Sequence, residues 1–121
     1  MPVRIIVCGG RDYADREHVY DVLRFIHIKR GIAEIIQGEC RTGADRYASE
    51  WAINMGIKLT RRPARWDLYG KRAGPIRNRQ MLELNPDGVV AFPGGSGTQD
   101  MITAATEADV PVYHPSPSGQ S

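Results

Sequence analysis

Gly88-Val89-Val90-Ala91-Phe92-Pro93-Gly94-Gly95-Ser96-Gly97-Thr98-Gln99-Asp100 decides how the chain folds. Its first five residues form a short apolar run, the pattern of a strand buried on both faces. Beyond the glycines, Met101, Ala104, Ala105 and Ala108 recur at helical spacing. The stretch is therefore a glycine-rich turn from a strand into a helix. In an α/β protein that junction sets backbone N–H groups and a helix N-terminus around an anion. Pro93, Gly94, Gly95 and Gly97 crowd into five residues, which points to a ligand that approaches the backbone closely.

The same pattern recurs on either side. Residues 3–8 are an apolar strand closed by Gly9-Gly10, with Arg11-Asp12-Tyr13 as a turn. A helix follows over about residues 15–29, with Val19, Val22, Leu23 and Ile26 on one face, Asp15 as N-cap and Gly31 as stop. Residues 33–37 form a second strand closed by Gly38. The next helix carries Ala44, Tyr47, Ala48, Trp51, Ala52 and Met55 on one face and stops at Gly56. Residues 57–61 read as a third, more exposed strand. Residues 62–75 show no period and read as a functional loop. A helix is expected from Pro75 to Leu84, another from Gln99 to about Ala108, and a last strand over 110–113. This alternation predicts an α/β fold. It is a single Rossmann-like three-layer domain over residues 1–114, with a mostly parallel five-stranded sheet and helices on both faces. Residues 115–121 are expected to be a flexible tail.

Composition narrows the class. With 121 residues, 41% hydrophobic and 25% charged, the chain suits one compact globular domain. No apolar run reaches the roughly 20 residues that cross a bilayer, and the N-terminus lacks a leader layout. The expected setting is the cytoplasm, with no membrane partner. Cys8 and Cys40 match no metal spacing and read as two reduced thiols. His18, His27 and His114 are scattered, and the first two are expected on an exposed helix flank. No metal and no cofactor are expected. The net charge is +2, but residues 58–79 hold eight basic residues against Asp67 alone. That local excess of +7 leaves −5 for the remainder and suits a polyanionic partner.

Ligands of such sheets sit beyond the carboxyl ends of the strands. That rule puts Gly9 to Tyr13, Gly38 to Asp45 and Pro93 to Asp100 on one rim. Three glycine turns there make a crevice fit for a phosphate, hence a nucleotide-type small molecule. Known motifs are incomplete. Gly38 and Gly43 have the gap of a P-loop without its Lys-Ser/Thr, and Cys8-Gly9-Gly10-Arg11 does not complete G-x-G-x-x-G. Gly95-Ser96-Gly97 is not a nucleophile elbow. The expected ligand and phosphate contacts are Gly9, Gly10, Arg11, Asp12, Gly38, Gly43, Arg77, Asn78, Pro93, Gly94, Gly95, Ser96, Gly97 and Thr98. Arg77 is the expected bidentate clamp, and Trp66 and Tyr69 are candidates to stack on a base. Asp100 and Asp45 stand in first helical turns, where a carboxylate either supports the cap or serves the sugar as acid, base or stabiliser.

Cys8-Gly9-Gly10-Arg11-Asp12-Tyr13, Gly43-Ala44-Asp45-Arg46, Tyr69 to Met81 and Phe92 to Thr98 resemble the YspA-like, cpYpsA-related branch of the SLOG superfamily. That resemblance implies a Rossmann-like fold and a bound nucleotide or nucleotide-derived ligand, such as a nucleoside monophosphate or an ADP-ribose-like molecule. Pro93 to Thr98 would be its phosphate loop. Arg77 matches an arginine of the related LOG-type phosphoribohydrolases, and relatives with this fold imply a homodimer paired through helices. One departure matters. Met101 stands where those hydrolases carry a catalytic glutamate, and Asp100 is one residue early, about 100° around a helix. Binding or sensing is therefore the first reading. N-glycosidic cleavage of a nucleoside monophosphate stays open as a second, with Asp100, Asp45 or Glu39 as carboxylate. Single-stranded nucleic acid on the basic segment 58–79 is the third.

Overall fold

The structure, a computed structural model, describes residues 2–38 and 40–115. Five strands, β1 (Val3–Cys8), β2 (Ile32–Gln37), β3 (Lys58–Arg61), β4 (Gly88–Ala91) and β5 (Val112–Tyr113), form one sheet in the order β3-β2-β1-β4-β5. Every pair is parallel. The chain winds outward from β1 in both directions, so the topological switch point lies between β1 and β4. In open α/β sheets a crevice forms there, outside the carboxyl ends.

Side chains of each strand alternate between two cores. Ile5 and Val7 of β1, Ile35 of β2 and Val90 of β4 pack against Val19, Val22 and Leu23 of α1 (Arg16–Arg30) and Ala44, Ala48, Trp51 and Ala52 of α2 (Gly43–Met55). Ile6, Ile36 and Val89 point the other way, onto Met81 of α4 (Ala73–Leu82) and Met101 and Ala105 of α5 (Ser96–Glu107). This double burial is why the central strands are continuous apolar runs. Asp15 caps α1 as expected, accepting the His18 N–H at 3.1 Å. Gly31 and Gly56 end their helices at positive φ.

Several expectations need correction. The aperiodic stretch 62–75 contains a helical turn, α3 (Trp66–Tyr69), and a 3₁₀ turn (Gly70–Arg72), which runs on into α4. No period shows because neither turn buries a side chain. Pro75 is the third residue of α4, not the first, a place where a missing N–H still costs no intrahelical bond. Helix α5 starts at Ser96, three residues before the expected start at Gln99, so half of the glycine turn is its first turn. The last strand shrinks to two residues. His18 and His27 are half-buried rather than exposed: His18 meets Phe92 edge-on, and His27 Nδ1 accepts the Ile32 N–H at 2.9 Å.

Candidate functional site

The strand ends of β1, β2 and β4, roofed by α3 and α4, enclose a crevice of about 900 Å³. It is much larger than the shallow hollow of about 280 Å³ at Glu17, Tyr20, Asp21, Arg24 and Trp51 on α1 and α2. Gly9, Gly10, Arg11, Asp12, Gly38, Asp45, Trp66, Arg77, Asn78, Asp100 and the whole run Pro93 to Thr98 line it. Gly43 and Tyr69 do not. Gly43 instead supports the wall at φ +70, because a side chain there would collide with the Gly10 carbonyl. Glu39 lies outside the described residues.

The glycines divide by what their missing side chains make room for. A Cβ on Gly94 would meet Thr98 Oγ1 and stand 2.6 Å from the Gly10 backbone N, whose own bond runs 2.8 Å to the Pro93 carbonyl. A Cβ on Gly9 would lie 2.6 Å from Ala44, and one on Gly38 would run into the Arg77 guanidinium. Those glycines let the two walls of the crevice touch. Beyond their own chain neighbours and helix backbone, Gly95 and Gly97 have no atom of the described residues within 4 Å of such a Cβ. Packing gives no reason for them, and the space beside them is open to the crevice. They flank Ser96 at the start of α5, where no side chain caps the helix. Its first N–H groups carry the positive end of the helix dipole without an intrahelical acceptor.

Arg77 stands across from this turn on α4. Its Nη1 donates to the Gly38 carbonyl at 2.8 Å and its Nε to Asn78 Oδ1 at 3.0 Å. Two of the five guanidinium N–H groups are thus engaged among the described residues, out of a donor set matched to oxyanions. Burial pulls its pKa below the ordinary arginine value, against the charges of Asp45, the two cysteines and Asp100. It stays a cation at neutral pH. Asn78 is 3% exposed and joins the helices: its Nδ2 donates to the Gly97 carbonyl at 3.2 Å and to Asp100 Oδ2 at 3.0 Å. Arg79 adds a bond of 2.9 Å to the same oxygen. Burial works to raise the pKa of Asp100, but hydrogen bonds from Arg79 and Asn78 and the charges of Arg79 and Arg77 hold it below the usual range. Asp100 is a fixed anion.

Asp45 differs. It is 7% exposed, in the first turn of α2, and accepts the N–H of Cys40 at 3.1 Å. Burial pushes it up to about 6, against the Cys40 and Gly38 backbone bonds and the Arg77 charge. Near neutral pH it can hold or release a proton. Burial first, then the Asp45 charge, pushes the Cys8 thiol up to about 12, with Arg77 opposing. Cys8 and Cys40 are both free. Sequence reasoning placed Tyr13 and Cys40 on this rim without giving them a contact, and missed Val7, Cys8, Lys71, Gly74, Pro75 and Met81 as lining. Cys8 follows from its place at the end of β1, whereas Lys71 and Gly74 reach the crevice only because 66–72 fold back in helical turns.

A family model described as "YspA, cpYpsA-related SLOG family" matches residues 3–69. The Gene 61 protein of Mycobacterium phage D29 is 34% identical over 119 residues, covering 92% of this chain and 94% of that one. Among solved structures, the molybdenum cofactor binding protein of the phototrophic bacterium Rippkaea orientalis superposes with a TM-score of 0.70. The match covers 92% of this chain and 74% of that chain at 20% identity, a likeness of fold. Among the described residues no helix is long and apolar enough to cross a membrane.

Proposed function

The chain belongs to the YspA, cpYpsA-related SLOG family, and from that premise we propose that its crevice binds a nucleotide or nucleotide-derived phosphate ester. One observation carries the reading: the uncapped start of α5, with two glycines that no packing demands, faces the same crevice as an arginine with unused donors. The ligand phosphate lies on the N–H groups of Gly95 to Thr98, as at other helix N-termini. Arg77 supplies the side-chain charge, and Trp66 offers a face to the base. Binding is tested by thermal unfolding against AMP, ADP and ADP-ribose. A ligand at about 100 times its Kd stabilises the fold by roughly 2.7 kcal/mol. Arg77→Ala weakens such binding by about 10- to 100-fold, the worth of charged hydrogen bonds. If no nucleotide shifts the transition, the reading fails.

A second reading, N-glycosidic hydrolysis of a nucleoside monophosphate, is favoured by the pairing of two unlike carboxylates in one crevice. Asp100 is held ionised, suited to stabilise positive charge on a ribosyl carbon, and Asp45 titrates near neutrality, suited to move a proton. Release of free base from AMP, slowed strongly in Asp100→Asn, is the expected result. An unchanged rate in that variant removes Asp100 from the chemistry.

A further inference from the structure

The crevice does not end at its lip. Trp66 and Lys71 line it and also belong to the surface made by α3 and the 3₁₀ turn. On that surface Trp66 is 58% exposed, Leu68 61% and Tyr69 44%. Three large apolar side chains within four residues, two of them aromatic, stand in water on a turn that buries nothing. Packing gives no reason for them. The flanking sequence carries Arg61, Arg62, Arg65, Lys71 and Arg72 against one acid, Asp67. Asp67 is paired with Arg65 at 3.1 Å, which leaves Arg61, Arg62, Lys71 and Arg72 as the excess positive charge of this segment. Arg61, Lys71 and Arg72 are exposed and have no acidic partner among the described residues. Arg62 is tied to the rim of the crevice, because its N–H donates to the Gln37 carbonyl at 2.9 Å, one residue before Gly38. The basic ledge and the crevice are therefore continuous.

Exposed aromatic faces interleaved with unpaired cations are the chemistry of single-stranded nucleic acid, in which bases stack and phosphates seek positive charge. A mononucleotide has no use for the ledge. Duplex does not suit it, because its bases are already stacked on one another. We propose that the protein captures the 5′-phosphorylated end of a single strand. The terminal phosphate sits on the α5 turn and Arg77, and the following nucleotides run out over Trp66 and Tyr69 between Lys71, Arg72 and Arg62. This rests on the phosphate reading of the crevice and extends it to a polymer.

The test is fluorescence anisotropy with a 3′-labelled oligodeoxythymidine of about 12 nucleotides, with and without a 5′-phosphate. The 5′-phosphorylated strand should bind about tenfold more tightly than the 5′-hydroxyl strand, and a duplex of equal length should bind weakly. Affinity should fall with salt at a log–log slope of about −2 to −3, as expected when three or four phosphates of a single strand are neutralised. Tyr69→Ala should weaken binding about tenfold, and so should the charge reversal Arg61→Glu with Arg72→Glu, which alters only exposed side chains. Both variants lie outside the crevice lining and should keep the affinity for AMP within about threefold, which shows them folded. Tight AMP binding with no oligonucleotide binding at about 50 mM salt overturns the ledge and leaves the crevice reading standing. Equal affinity for 5′-phosphate and 5′-hydroxyl strands overturns end capture. Failure of AMP and oligonucleotide alike puts the fault in the crevice reading itself.

Discussion

At the amino end of the sheet, Arg4 donates Nε to Glu34 at 2.8 Å and Nη1 to the carbonyls of Leu84 and Asn85. Its backbone is held by Asp87 in both directions. Glu34, buried in β2, also accepts from Thr60, with Lys58 at 4.0 Å. At the carboxyl end, Arg77 spends Nη1 on Gly38 and Nε on Asn78 and keeps the rest of its guanidinium in an open crevice. Both arginines are half-buried and both belong to a polar network across several elements. The amino-end network closes on itself and serves the fold. The carboxyl-end network is left with spare donors, a helix start without a cap and a carboxylate near its titration point. Spare polar capacity inside a cleft is costly for stability, and this is the difference that separates the proposed binding end from the structural end.

The largest effect expected from this contrast is at the structural end. Arg4→Met leaves Glu34 buried without its main partner and should cost about 3 kcal/mol in denaturant unfolding, with nucleotide affinity unchanged. A loss of affinity of similar size would mean that the two ends are not separable.

Next comes the pH dependence of the binding end. Folded Asp45 titrates at about 6, above its ordinary value of 3.8. Between those values the folded protein holds a proton that the unfolded chain has released. Stability therefore falls as pH rises through this window, by on the order of 3 kcal/mol, and the cost persists above it. Asp45→Asn should remove that slope in urea unfolding at a series of pH values. Glu34 and Asp100, which hydrogen bonds hold below their usual ranges despite burial, act with the opposite sign and at lower pH. The difference between the two profiles isolates Asp45. A flat difference would show that its burial is relieved by water.

The smallest effects are the most discriminating, because they separate neighbouring glycines. Gly94→Ala forces a Cβ onto Thr98 and the Gly10 backbone and should cost about 2 kcal/mol of stability. Gly95→Ala meets nothing among the described residues beyond its chain neighbours. It should leave the melting temperature almost unchanged while weakening AMP by about tenfold, measured by calorimetry, because the methyl group takes space the phosphate needs. Equal behaviour of the two variants would erase the distinction between glycines that serve the fold and those that serve the ligand.

Much of this contrast could be read along the chain. The runs at residues 3–8 and 88–92, with Val19, Leu23, Trp51 and Ala52 at helical spacing, specify strands buried on both faces and helices that cover them. The rule for parallel sheets then brings Gly9, Gly38 and Gly94 to one rim. The pairing of Arg4 with Glu34 was not legible, because it depends on register between β1 and β2 across thirty residues of chain. Nor was Lys71 as a lip residue, because 62–75 has no period from which to infer a fold. The excess of glycine in the turns was visible, but its cause was not. Gly9, Gly38 and Gly94 are small because other parts of the protein press against them, whereas among the described residues nothing presses on Gly95 and Gly97.

Sequence by itself determined the class of the fold, the end of the sheet where the crevice opens and the residue types gathered there. Periodicity and strand burial are local properties, and the carboxyl-end rule follows from parallel pairing alone. Tertiary structure decided which of those residues still have something to offer. Asp100 is locked by Arg79 and Asn78, Asp45 is lifted towards neutrality by burial, and Arg77 is anchored at one end and open at the other. Hydrogen-bond saturation and desolvation depend on neighbours distant in sequence, and they set what a side chain can do after folding.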